Sequence, residues 1–131
     1  MRKKHTIIFI FIFALIFSGC SQKKVDNERI KINNNEKITS IQKNEIFTFK
    51  NKSIIFVNNI SVISVSIINN TDETQSIKKI EIVIKDDNNK YITLYPFLEK
   101  DKIEAKSTYN LTTTYPKDLT TAKDIEFKII K

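Results

Sequence analysis

The chain has 131 residues, with 22 Lys and Arg against 15 Asp and Glu, and a formal net charge of +7. One Cys, one His, one Gly and no Trp exclude collagen-like, disulfide-scaffold and zinc-cluster classes. Isoleucine, lysine and asparagine supply 58 residues, the bias of an AT-rich genome, so the basic balance does not by itself indicate a nucleic-acid partner.

The first element is an address. Met1-Arg2-Lys3-Lys4-His5 is cationic, Ile7 to Phe17 is an unbroken apolar run, and Ser18-Gly19-Cys20 follows before polar Ser21-Gln22-Lys23-Lys24. A charged start, an apolar middle and small residues at the cut make a secretory signal. The run is too short to span a bilayer, because 11 residues at about 1.5 Å each fall well below the roughly 20 residues a crossing needs. Phe17-Ser18-Gly19-Cys20 resembles the lipobox of bacterial lipoproteins, with Phe17 where Leu, Val or Ile is usual. The resemblance implies cleavage between Gly19 and Cys20, a diacylglyceryl group on the Cys20 thiol, and membrane attachment through that lipid. Two acyl chains anchor stably, whereas a single one binds marginally.

Removing residues 1–19 leaves a chain without glycine or histidine, and with no thiol once Cys20 is acylated. No internal disulfide can form, so an extracytoplasmic domain must be held by its core alone. From Ser21 to Asn44 only five aliphatics interrupt a polar stretch that includes Asn33-Asn34-Asn35. Such a segment cannot offset its ordering entropy, so residues 20–44 are expected to be the lipidated cysteine and a flexible tether spanning about 27 Å r.m.s..

From Glu45 the apolar period becomes two. Phe47 and Phe49, then Ile54 and Phe56, open the series. Ile60 and Val62 share one parity and Ile63, Val65 and Ile67 take the other, which suggests a bulge near Val62. Ile80, Ile82 and Ile84 alternate next, then Ile92 and Leu94 against Tyr91 and Tyr95. Tyr109, Leu111, Thr113 and Tyr115 follow, and Ile125, Phe127 and Ile129 close the chain. Thr120 to Asp124 carries the one hint of a helical turn. These seven β-rich segments predict an all-β fold, an immunoglobulin-like antiparallel β-sandwich over residues 45–131. Asn58-Asn59, Asn69-Asn70 and Asp87-Asn88-Asn89 fall between strands and supply turn chemistry without glycine, since Asn and Asp tolerate positive φ.

Ser64-Val65-Ser66-Ile67-Ile68, Asn69-Asn70-Thr71-Asp72 and Ile80-Glu81-Ile82-Val83-Ile84-Lys85-Asp86 form a strand, turn and strand ending in Asp. This stretch resembles the bacterial FxLYD-type extracellular modules, whose naming motif would fall on Ile82 to Asp86. The resemblance implies a small accessory or binding module and not a catalyst.

Nucleophilic triads need an imidazole base, and His5 leaves with the signal. Phosphate-cradling loops need glycines, and no His or Cys remains for zinc. Asp86-Asp87-Asn88-Asn89 offers oxygens but lacks the spacing of a calcium loop, so it reads as a hairpin turn. Glu99, Asp101 and Glu104 alternate with lysines, the pattern of a solvated surface. No catalytic residue, metal, cofactor or nucleic-acid partner is therefore expected. If Ile92 and Leu94 face the core, Tyr91 and Tyr95 face outward, and Phe97 follows Pro96. These three aromatics are the candidate binding patch. The expected function is a lipid-anchored, non-enzymatic binding or accessory module on the extracytoplasmic face of the cell membrane, contacting a protein or envelope polymer. The alternative is an immunity or inhibitor lipoprotein that blocks a toxin or hydrolase.

Overall fold

The structure is a computed structural model and describes residues 30–131. The signal segment, the Gly19/Cys20 junction and the start of the expected tether lie outside the described residues.

Two sheets carry the fold. In the first, β3 (Phe47–Val57) and β4 (Ile60–Asn69) form a hairpin, and β9 (Thr108–Tyr115) pairs with the far side of β4. The hairpin turns on Asn58 and Asn59 at φ 52° and 65°. Two successive residues at positive φ match the right-handed twist of the flanking strands, and Asn reaches that region more cheaply than most residues. In the second sheet, β6 (Lys79–Lys85) lies between β7 (Tyr91–Leu94) and β10 (Asp124–Ile130). Its β6–β7 turn is fixed by Asp86, whose Oδ1 accepts from the N–H groups of Asn88 at 2.9 Å and Lys90 at 2.8 Å. A short ladder joins β5 (Gln75–Ser76) to β8 (Lys102–Ile103).

The period of two does the packing. Ile80, Ile82 and Ile84 from β6 are fully buried, as are Ile54, Ile63 and Ile67 from β3 and β4. The Phe49 ring of β3 stacks on the Phe127 ring of β10, with centroids 5.7 Å apart and planes 13° apart. Two sheets thus share one apolar core. In immunoglobulin terms the paths β3-β4-β9 and β10-β6-β7 are A-B-E and F-C-C′. The expected antiparallel β-sandwich is the fold observed. Strands D and G have no counterpart among the described residues.

Four sequence expectations need correction. The bulge is not near Val62; it lies in β3, where the register with β4 shifts between Lys50 and Ser53. Asn51 takes φ 54° there, which turns Lys52 inward and joins the segments around Phe49 and Ile54 into one strand. Strand β4 keeps one parity because Ser61, not Ile60, points inward. Its hydroxyl donates to the Lys117 carbonyl at 2.6 Å and accepts from the Leu119 N–H at 2.9 Å. The hint at Thr120 to Asp124 amounts to a single turn, closed by the Ala122 N–H on the Leu119 carbonyl at 3.1 Å, and the helix among the described residues is instead α1 (Glu36–Thr39), capped by the Asn35 side chain accepting from the Lys37 N–H.

The last correction concerns the tether, which does not extend to Asn44. Strands β1 (Lys31–Ile32) and β2 (Gln42–Lys43) both pair with β3, and Ile38 of α1 is fully buried. Polar side chains fix this stretch from a distance. Buried Asn33 donates to the Ala122 carbonyl at 3.0 Å. The Gln42 amide donates to the Phe127 carbonyl at 2.7 Å and accepts its N–H at 3.0 Å. One anchoring isoleucine and two amides thus offset an ordering cost that composition alone makes look prohibitive.

Candidate functional site

Strand β7 is the outer strand of its sheet. Ile92 and Leu94 pack against the core, so Tyr91 and Tyr95 stand on the solvent face, 68% and 57% exposed. Phe97 follows Pro96 and is 87% exposed. The structure therefore brings the three sequence-predicted aromatics into one segment, all outward. Tyr95 is partly held: the Lys79 ammonium sits 4.9 Å from its ring centroid, and its hydroxyl lies 3.4 Å from the Glu81 carboxylate. Both neighbours come from the outward positions of β6, so the alternation that buries the isoleucines also builds this polar frame. Tyr91 lies opposite Lys85 in the register.

The chain leaves this aromatic strip directly into the wall of a trough of about 810 Å³. Leu98 and Glu99 form one side, Ile103 and Glu104 another, and Tyr109 lines it from β9. The Tyr109 hydroxyl accepts the Glu99 N–H at 3.1 Å, which ties the loop to the first sheet. The far wall is held by Asn69, fully buried, whose amide donates to the carbonyls of Glu73, Ile103 and Glu104 at 2.7, 3.0 and 3.1 Å. Its Oδ1 accepts from the N–H and hydroxyl of Thr71. Glu99, Asp101 and Glu104, read from the sequence as solvated surface, all border this trough together with Lys78, Lys100 and Lys102. An equal mix of charges on an open trough suits a hydroxyl-rich or peptide-like contact more than a single charged group. Among the described residues no group of three or more His, Cys, Asp or Glu is placed to hold a metal ion.

A second cavity, about 450 Å³, has Lys52 among its lining residues, with Gln42, Asp124 and Glu126 nearby in the wall. Lys52 is only 5% exposed and makes no hydrogen bond or ion pair among the described residues. Desolvation pushes its ammonium below the ordinary lysine range, and the Asp124 carboxylate partly offsets this. Sequence reasoning missed this residue because the bulge at Asn51 reverses the parity. Lys52→Met should stabilise the domain by at most about a few tenths of a kcal/mol, because the stem is buried but the ammonium still reaches solvent through the cavity and is only partly desolvated. The folded state binds fewer protons than the unfolded state between the lowered pKa and the ordinary one. Wild-type stability therefore rises with pH across that window, and its deficit relative to Lys52→Met should shrink. Melts at neutral and alkaline pH check both the sign and the convergence.

Asp118 is the other shifted group. The Thr120 hydroxyl, the Thr120 N–H and the Lys31 ammonium hold its carboxyl below the usual range. That pins the turn before β10 to β1.

No family model matches this chain, and no curated protein does. A solved structure that is similar is the crystal structure of a DUF1425 family member from Shewanella sp. pv-4. It is 13% identical, covers 77% of this chain and 95% of its own, and superposes with a TM-score of 0.45. The sandwich assignment stands on this chain's own ladders.

Proposed function

We propose that this chain is a lipid-anchored extracytoplasmic binding module, held to the membrane through Cys20, whose contact surface is the strip Tyr91, Tyr95 and Phe97. The observation that carries the contact surface is the exposure of three large aromatic side chains in seven consecutive residues of a small domain. Scattered exposed apolar groups need no explanation, whereas clustered rigid aromatics are the side chains that anchor protein and sugar partners at little rotamer cost. The polar trough that continues from the strip supports a partner rich in hydroxyl or amide groups, either an envelope polymer or a protein. The lipobox-like Phe17-Ser18-Gly19-Cys20 supports the anchor, and the FxLYD-like pattern supports an accessory and non-catalytic role.

One experiment tests both halves. In cells fed a labelled fatty acid, the wild type should take up label and Cys20→Ser should not. In the Cys20→Ser background, retention on isolated cell envelopes then reports the domain and not the lipid. Adding Tyr91→Ala and Tyr95→Ala should abolish that retention while the melting temperature stays nearly unchanged. Equal retention with and without the tyrosines would reject the contact surface. So would destabilisation above about 3 kcal/mol, the range of core aromatic truncation.

A further inference from the structure

The two outer strands of the β10-β6-β7 sheet are treated differently. The open side of β10 is covered over its first half: the Ile125 N–H is taken by the Asp124 carboxylate at 2.9 Å, and both Phe127 backbone groups by the Gln42 amide. Asn35 adds a contact to the Lys123 carbonyl at 3.4 Å. The open side of β7 has no such cover. Because Phe127 points its backbone groups away from β6, its partner Ile82 points towards β7, where it meets Leu94. Alternation then sends the backbone groups of Tyr91, Thr93 and Tyr95 outward, and none of them has a hydrogen-bond partner among the described residues. The four-residue strand carries no charge, proline or bulge within it; Lys90 and Pro96 flank the strip and, with its shortness, limit how far any pairing can run.

We propose that β7 pairs antiparallel with β7 of a second copy, about a two-fold axis through Thr93. This register uses all three unpaired residues of each edge. Thr93 meets Thr93 of the other copy, and Tyr91 of each copy meets Tyr95 of the other. Thr–Thr and aromatic pairs are both favourable across strands. One position further out, Lys90 falls opposite Pro96, so no like charges meet. An isologous contact needs a self-complementary strip, and this sequence supplies one. The two three-stranded sheets become one of six strands. Side chains stand perpendicular to a sheet, so the four tyrosines stay on its outer face and form one continuous aromatic surface. The ladder requires nothing of the binding role proposed above; if that role holds, pairing doubles its surface. So short a ladder buries less than a standard interface of about 1,600 Å², and the contact is weak and reversible in solution. Confinement of lipidated chains to one membrane raises their effective concentration and tightens it.

The test uses the full chain carrying Cys20→Ser, so that a thiol introduced elsewhere is the only one. Hydrogen-bonded antiparallel partners lie about 5.5 Å apart at Cα, within reach of a short thiol-to-thiol crosslinker. Thr93→Cys should therefore be joined between copies by a short bis-maleimide, while Lys128→Cys on β10 should not. Sedimentation equilibrium should show a concentration-dependent dimer. Thr93→Pro removes only an outward N–H from an edge strand and should weaken that dimer at least about tenfold with unchanged melting. Thr93→Lys places two ammonium groups face to face across the axis and should do the same, which covers the case in which proline disturbs the strand. A monomer at every concentration, a dimer indifferent to both substitutions, or equal crosslinking from Lys128→Cys would overturn the proposal. So would protection of the Thr93 amide only after envelope proteins are added, which would give the edge to a foreign strand. The tyrosine-to-alanine pair leaves the backbone ladder intact, so loss of envelope retention without loss of the dimer would count against the binding role alone.

Discussion

Ile82→Asp should unfold the domain. Ile82 is fully buried at the middle of β6, between Phe127 of β10 and Leu94 of β7. A carboxylate there faces isoleucine and phenylalanine side chains with no donor in reach. Burying an unpaired charge costs several kcal/mol, comparable with the roughly 5 to 15 kcal/mol that hold a domain folded. The group can lower that cost only by taking up a proton, so any residual fold should strengthen as pH falls. Glu81→Ala, one residue away on the opposite face, loses a 3.4 Å contact to the Tyr95 hydroxyl and little else. Circular dichroism melts of the two variants should differ by most of the transition. Equal melting temperatures would mean that the strand faces the other way.

Asn69→Ala should be the most damaging substitution of a polar residue. One side chain closes three carbonyls and two Thr71 donors, all in a fully buried position. Orphaning buried polar groups costs about 1 to 3 kcal/mol each, partly recovered where water can enter, so a loss of about 3 to 4 kcal/mol is expected. Asn69→Asp should fare no better, because it replaces the donor with a charge pointed at carbonyl oxygens. The denaturant midpoint measures the loss. Amide exchange around Ile103 and Glu104 should accelerate beyond the global change, because Asn69 is what ties that wall of the trough to β4. The first sheet, held by its long ladders, should respond less.

The contrast between these two positions shows what a sequence can carry. Ile80, Ile82 and Ile84 announce their strand and its inner face by spacing alone, and the outward direction of Tyr91 and Tyr95 follows from Ile92 and Leu94 by the same rule. Alternation is local, so it is legible. Asn69 was legible as turn chemistry, and its Oδ1 does hold the Thr71 N–H, but its bonds to Ile103 and Glu104 were not legible because those partners are distant in sequence. The burial of Lys52 gave no sign in the sequence because the reversal at Asn51 depends on a residue at positive φ, which Asn permits but does not announce. The stretch from Lys31 to Asn44 looked like tether because its attachment is made by amides on distant backbone groups. The trough was hidden for a related reason: its walls come from the loop after β7, the β8 region and β9, and no single segment displays it. The aromatic strip was legible because it belongs to one strand.

The Gln42 clasp on Phe127 links residues 85 apart, and that separation has a kinetic consequence. A chain made N-terminus first delivers β1, α1 and β2 long before β10 exists. These pieces, Ile38 included, can find β3 early, but the Gln42 amide has nothing to clasp until the last strand arrives. Folding is therefore governed by late, non-local pairing, the regime of milliseconds to seconds. During that interval β6, already paired with β7, would be exposed along the side that β10 later takes and open to misjoining with another emerging chain there. Gln42→Ala should therefore change the yield of correctly folded protein during synthesis more than the melting temperature of what has already folded.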